Sequence, residues 1–418
     1  MMIFLGMAFL VPVGIGTYFL NRKLNDKFHP TSIIVYIWSV LLMLAILLGN
    51  ACGMYPINEI GILIFSSFLL LLVVFSYLLA PKRTSQDFQV IDLMKVPDLF
   101  LICLVLFALC VFSRLLYFRD LGKIIPLNSL FANSWRWKNA VLTGAFDENA
   151  LKYFGYNLNA TGTLISLCYY QQKDLGHRWK KRIALLMMLI YVGLAFINVR
   201  RDPMIIKLIY LLCPVVVYNR NNVKKILRYM VPVGVIFLIL LIEINTQLRF
   251  GNLDLNRSLA TYSFGAFNSF QKAYDIGYVS NTELPLANTF YFVYMVLKYI
   301  FPKLAPPGII LDTLGSDTTN VYTSLIAPLI DSNGSHLMFW IYLLIDALFI
   351  ATVNMLAYRW RKKSGSLASF LMYCTVFSCS IRSFYNPVYG YADLIFGFVY
   401  ALLIGFILSN QWKRGTQK

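Results

Sequence analysis

Residues 60–80 read Ile60-Gly-Ile-Leu-Ile-Phe-Ser-Ser-Phe-Leu-Leu-Leu-Leu-Val-Val-Phe-Ser-Tyr-Leu-Leu-Ala80, and the run closes on Pro81-Lys82-Arg83. No charge interrupts it, and as a helix it is long enough to cross a hydrocarbon core of about 30 Å. Lipid offers backbone N–H and C=O groups no partners, so a spanning run of this kind must be helical. A transmembrane barrel shows short alternating segments instead. Further apolar runs at about 3–20, 31–51, 99–117, 156–172, 183–199, 204–218, 229–247, 337–357, 366–384 and 392–410 predict helices of the same type. The expected fold class is an all-α polytopic membrane protein with about eleven transmembrane helices. With no internal repeat and no separate soluble stretch, one membrane domain over residues 1–418 is the simplest organisation.

Composition points the same way. Of 418 residues, 59% are hydrophobic and 13% charged, with a mean hydropathy of +0.65. A soluble domain carries about 25% charged residues. The net charge of +18 raises nucleic acid as a partner, but the cations sit in short loops. These are Arg22, Lys23 and Lys27; Lys82 and Arg83; Lys173 and residues 178–182; residues 220–228; residues 359–363; and residues 413–418. That is the positive-inside pattern, which makes these loops cytoplasmic, the N-terminus periplasmic and the C-terminus cytoplasmic. The lipid bilayer accounts for the charge and no nucleic acid is needed.

The first apolar run ends in Asn21-Arg-Lys-Leu without a small-residue cleavage site, so it reads as a retained helix. Seven cysteines, all but Cys52 inside apolar runs, form neither a disulfide framework nor a metal set. Cys374 and Cys379 read as small hydrophobic residues of one helix.

The charge rule places the remaining polar text on the opposite face. A first outer loop, 118–155, holds Asn133-Ser-Trp135-Arg136-Trp137-Lys138. Aromatic rings beside cations suit sugar stacking and phosphate contact, and they suit an interfacial aromatic belt equally well. Arg200-Arg201-Asp202-Pro203 puts two guanidiniums ahead of a helix, which fits either a fork-shaped anion site or snorkelling to headgroups. Glu243 lies near the outer end of its helix, where it can face a polar cavity or pair with Arg249.

The stretch 248–336 is a large periplasmic region. Residues 259–274 form an amphipathic face suited to the membrane surface. The apolar run 287–301 is short and broken by Lys298. A single crossing there would deliver residues 359–363 to the outside. Charge parity therefore makes 287–335 a segment that dips in and returns or crosses an even number of times. Ser380-Ile-Arg382-Ser-Phe-Tyr385-Asn-Pro387 then brings Arg382 and Tyr385 to the outer surface.

The chain has no phosphate-cradling Gly-rich loop and no His-Glu-x-x-His, and only His336 is an external histidine, which argues against a zinc site or a Ser-His-Asp triad. Outer arginines (119, 136, 200, 201, 249, 257, 382), the carboxylates Glu243, Asp254, Asp317 and Asp331, and Asn, Tyr and Trp side chains suit a polyanion linked to carbohydrate. Outside the cytoplasm an activated donor has to be membrane-tethered, and a polyprenyl diphosphate sugar brings its own leaving group.

Asn320-Val-Tyr322-Thr323, followed by Asp331 and Gly334, resembles a signature region of the Wzy-type polymerases of O-antigen and capsule repeat units. Arg200-Arg201-Asp202-Pro203 and a late outer arginine such as Arg382 resemble that family too. Two features depart from it: Asp331-Ser-Asn-Gly stands where the family has Asp-Phe-Gly or Asp-Tyr-Gly, and no Arg-x10-Gly pattern follows Arg249 or Arg257. The resemblance implies a GT-C-like membrane glycosyltransferase of the bacterial inner membrane, inverting, metal-independent and without cofactor. Its substrates would be undecaprenyl diphosphate-linked oligosaccharides, with a chain-length regulator as protein partner. It implies Arg200, Arg201 and Arg249 on the diphosphate, Asp331 or Glu243 as base, and Asn320, Tyr322, Thr323, Arg382 and Tyr385 around the sugar, with Arg257, Arg136 and Trp135 as further substrate contacts. An O-antigen ligase would share such a site but expects a His and a Glu in a large outer loop, and no acid stands eight residues after His336. A lipid-linked oligosaccharide flippase or exporter would show an internal repeat around a central cavity.

Overall fold

The structure is a computed structural model that describes residues 2–81, 93, 96–123, 160–196, 201–218, 260–261, 263–278, 284–298, 300–304, 314–318, 321–385, 388–390 and 392–415. Among these residues there is no strand. The helices are α1 (Met2–Leu24), α2 (Pro30–Leu48), α3 (Glu59–Leu79), α4 (Leu99–Gly122), α5 (Ala160–Asp174), α6 (Arg178–Phe196), α7 (Arg201–Tyr218), α8 (Gly265–Asp275), α9 (Tyr291–Leu297), α10 (Ile326–Asp331), α11 (His336–Lys363), α12 (Leu367–Arg382) and α13 (Ala392–Gly415). The helix expected at 229–247 lies outside the described residues.

Five of these, α1, α2, α3, α4 and α11, are long and apolar enough to cross a membrane, and α7, α12 and α13 carry shorter apolar stretches. Their surfaces show which solvent they meet. On α4, Leu101, Leu104, Val105, Phe112 and Leu115 are exposed, while Ser113 and Arg114 are buried. A face of that kind is a large apolar patch in water and an ordinary one in lipid. The protein is a multi-pass helical membrane protein. Between 287 and 335 the described residues form only α9, a 3-10 turn at Pro302–Leu304 and α10, and a seven-residue helix such as α9 rises only about 10 Å.

The chain packs as two compact units, interleaved in sequence. The first comprises Met1–Phe88, Leu255–Lys363 and Cys379–Ile395; the second comprises Gln89–Asp254, Ser364–Ser378 and Phe396–Lys418. No linker or change of composition marks this division.

In the first unit α3 packs between α1 and α11. Asn58 caps α3 by accepting the Gly61 N–H at 2.9 Å, with Glu59 in the first turn where the helix dipole favours an acid. His29 caps α2: its Nδ1 accepts the Ser32 N–H at 3.3 Å, and Nε2 lies 3.0 Å from Asn21 Oδ1. That network fixes the neutral tautomer with its proton on Nε2. At the other end of α3, Lys23 donates to the Tyr77 carbonyl at 2.7 Å and Arg359 donates to the Leu79 carbonyl. Tyr358 donates to the Leu24 carbonyl at 3.0 Å. Side chains thus satisfy the last carbonyls of α1 and α3, which no intrahelical bond reaches.

Inside this unit, Trp38 meets Phe65, Phe68 and Phe267 with ring centroids 5.1–6.3 Å apart. A hydrogen-bonded chain runs beneath them. Ser76 meets Thr31 at 2.9 Å, Asn354 donates to Thr31 at 3.2 Å, Tyr389 donates to Asn354 at 2.8 Å, and Ser380 meets Tyr389 at 2.7 Å. The amphipathic face expected to lie on the membrane surface forms α8, which is inserted instead. Residues Gly265 to Gln271 are all buried, because Phe267 and Phe270 complete the aromatic cluster around Phe65.

In the second unit α5 packs against α4, α6 and α7. Gln171 organises one end: its Oε1 accepts the Leu99 N–H at 2.8 Å, and its Nε2 lies 2.9–3.2 Å from the carbonyls of Leu93, Val96 and Pro97. Gln172 donates to Asp98 at 2.7 Å, and Lys180 forms an ion pair with the same carboxylate. Burial pushes the Asp98 carboxyl up, but its bonds from Lys180, Phe100 and Gln172 outweigh that and hold it below the usual carboxylate range. Cys103, Cys110, Cys168, Cys213 and Cys374 are buried in this unit, as Cys379 is in the first.

Candidate functional site

Three segments of the first unit meet at the end of α12. Ser324 donates its N–H to the Ser383 carbonyl, and Phe292 donates to the Gly390 carbonyl, both at 3.1 Å. Trp38 Nε1 donates to Ser383 Oγ at 2.9 Å. A Cβ at Gly390 would stand 2.6 Å from the Thr289 carbonyl oxygen and 3.0 Å from that of Asn288. That backbone-to-backbone approach admits only glycine.

The junction brings together Tyr322, Thr323, Asp331, Arg382 and Tyr385, all of them sequence candidates. The sequence places Arg382 and Tyr385 at the surface. In the structure Arg382 is only 2% exposed and Tyr385 is half-buried. The difference arises because Ser383, the residue that follows, is drawn into the unit by its bonds to Ser324 and Trp38. Tyr322 is buried and lines a shallow crevice with Ala273, Tyr278 and Ile326. Thr323 Oγ1 and Ser324 Oγ are buried and find no hydrogen-bond partner among the described residues. Orphaned buried hydroxyls are uncommon because each has given up its hydration without replacement.

Asp331, on the last turn of α10, is 8% exposed. Its Oδ1 accepts the backbone N–H of Asn288 at 2.9 Å and its Nδ2 at 2.8 Å. Its Oδ2 accepts the backbone N–H of Thr289 at 2.9 Å and its hydroxyl at 2.8 Å. Burial pushes this carboxyl above its ordinary value, and the four hydrogen bonds pull the other way without cancelling it. All four lone-pair positions of the carboxylate are filled. As it stands, Asp331 holds the 288–289 turn and offers no free acceptor to a substrate hydroxyl. Asp317 is also engaged, paired with Lys272 at 2.6 Å. Arg119 pairs with Asp120 at 3.2 Å. His336 Nδ1 meets the Tyr274 hydroxyl at 3.1 Å.

Trp135, Arg136, Arg200, Glu243, Arg249, Asp254, Arg257 and Asn320 lie outside the described residues. Arg201 opens α7, so that helix begins three residues earlier than expected, with Pro203 in its first turn where a missing N–H costs nothing. Sequence reasoning passed over Asn288 and Thr289, which sit in a short apolar run, and Asp346, a 5% exposed carboxylate of α11 whose Oδ2 has no partner among the described residues. The rule that carboxylates inside apolar spans are costly and functional applies to Asp346 as it does to Glu243. The chain matches no family model, no curated protein and no solved structure, so its own geometry carries the functional reading.

Proposed function

We propose that this protein is a membrane glycosyltransferase that joins undecaprenyl diphosphate-linked oligosaccharide repeat units into O-antigen or capsular polysaccharide. It works on the periplasmic face of a bacterial inner membrane, with eleven spans, a periplasmic N-terminus and a cytoplasmic C-terminus. The observation that carries this reading is the junction of residues 321–331 with the end of α12. There the buried hydroxyls of Thr323 and Ser324 lack partners among the described residues, in a segment tied by the Ser324–Ser383 bond to the residue that follows buried Arg382. Unsatisfied donors and a cation beside Tyr322 and Tyr385 suit the hydroxyls of a sugar.

In the reaction, a sugar hydroxyl of the incoming repeat attacks the anomeric carbon of the growing chain. The bond to the diphosphate oxygen breaks with inversion. Arg200, Arg201 and Arg249 hold the departing diphosphate, as preorganised positive charge stabilises developing negative charge elsewhere. Asp331 has its acceptor positions filled, so the proton goes to Glu243, while Asp331 holds Asn288 and Thr289 in place. Asn320, Tyr322, Thr323, Arg382 and Tyr385 orient the sugars, and Arg257, Arg136 and Trp135 are further substrate contacts.

The test is complementation of a strain lacking the chain, with surface polysaccharide read as a gel ladder. Arg201→Ala and Arg382→Ala are each expected to leave single-repeat products. A normal ladder from both variants would remove this assignment.

A further inference from the structure

The last turn of α3 gathers cations from two other helices of the first unit. Lys23 of α1 donates to the Tyr77 carbonyl at 2.7 Å, and its Nζ stands 4.2 Å from the centre of the Tyr77 ring. That ring is exposed, so the ammonium lies at the surface. Arg359 of α11 donates to the Leu79 carbonyl. The two carbonyls are two residues apart, about 3 Å of rise, so an ammonium and a guanidinium are fixed on the same helix turn. An ammonium carries three donor hydrogens and a guanidinium five, and α3 takes one from each. Neither cation is paired with a carboxylate among the described residues.

The charge around this turn is strongly one-sided. Residues 21–29 carry three Lys and Arg and residues 358–363 carry four, against the single carboxylate of Asp26. Tyr358 donates to the Leu24 carbonyl at 3.0 Å, so the two stretches meet here, and Asp26 can neutralise only one of the seven cations. Leading away from the cations along α3, Leu78, Val74 and Leu70 are exposed at helical spacing on one face. They form an apolar strip about 12 Å long, with α1 and α11 packed on α3. Charge at one end and a straight apolar strip below it match the two halves of an anionic phospholipid. Its phosphodiester accepts from both cations, whereas a choline headgroup brings its own ammonium against them.

We infer that Lys23, Arg359 and the Leu70–Val74–Leu78 strip form a binding site for one anionic phospholipid of the surrounding bilayer, with its phosphate between the two cations and an acyl chain along α3. The site uses none of the residues assigned to the reaction and does not depend on the polymerase reading.

The experiment uses the full chain in detergent, with bound lipids counted by native mass spectrometry during titration with dioleoyl phosphatidylglycerol or dioleoyl phosphatidylcholine. The first adduct is expected at about tenfold lower concentration of the phosphatidylglycerol. Lys23→Gln and Arg359→Gln, which keep a donor and lose the charge, are each expected to weaken that adduct about fivefold. Arg178→Gln, which removes an exposed cation of the second unit, should leave it within about twofold. Should either site variant fail to fold, acylation of Lys23 in the native chain supplies the second measurement, and phosphatidylglycerol is expected to slow it several-fold while phosphatidylcholine does not. Equal binding of the two lipids, unchanged binding by both site variants or unchanged Lys23 acylation each overturns the site. An equal loss in Arg178→Gln would replace it with a diffuse charge effect, and displacement of the adduct by equimolar glycerol phosphate would make the free anion the ligand.

Discussion

At the level of single residues, two buried polar groups make opposite demands on their surroundings. Asp331 is matched by four donors from Asn288 and Thr289, so its removal strands all four. Asp331→Ala is expected to cost about 3 kcal/mol or more, and Asp331→Asn about 1–2 kcal/mol because its amide cannot accept the Thr289 N–H. Thermal unfolding of the solubilised protein measures both, and equal midpoints for the three forms would refute the holding role. His29 is buried completely, and desolvation lowers its pKa from 6.5 to about 3. Its neutral form is favoured in the fold, so its contribution to stability is fully present above pH 6.5 and is lost as pH falls from there toward 3. At 1.36 kcal/mol per pKa unit the full loss is on the order of 5 kcal/mol. The melting point of the native chain should therefore drop more steeply between pH 7 and 4 than that of His29→Gln, and parallel curves would contradict the assignment.

At the level of elements, the helices and the junctions between them differ in how far the sequence announces them. The apolar run at 60–80 and its basic flank specify α3 to within a residue, because length and hydropathy in lipid are local properties. The short helices between 287 and 335 follow from charge parity only as a segment that is not a single span. The meeting of Tyr322 and Thr323 with Arg382 and Tyr385 depends on a bond across about 60 residues, from Ser324 to Ser383, which no periodicity encodes. The junction itself can be probed at Gly390. Gly390→Ala forces a Cβ onto the Thr289 carbonyl, and overpacking of this kind costs about 1–3 kcal/mol. The expected outcome is a lower melting point together with a shortened polysaccharide ladder. A variant that melts and polymerises normally would show that the close approach is dispensable.

At the level of the whole molecule, the interleaving of the two units sets what can be removed. Ending the chain after Ser366 takes Arg382, Ser383, Tyr389 and Gly390 from the first unit and Tyr400 from the second. Both units should then lose protease resistance together in limited digestion of the solubilised protein. Survival of either as a resistant fragment would show that it folds without the final helices.

The carbonyl of Leu24 is closed by Tyr358, 334 residues later, and that of Leu79 by Arg359, 280 residues later. At a synthesis rate of about 5–20 residues per second, the end of α1 waits on the order of tens of seconds for its partner. Over that interval only water at the membrane edge can serve these groups, so the nascent α1 and α3 are stable only while their ends stay wet. Tyr358 and Arg359 are therefore a clock as well as a cap: their arrival is the earliest moment at which the first helices made can stop depending on solvent.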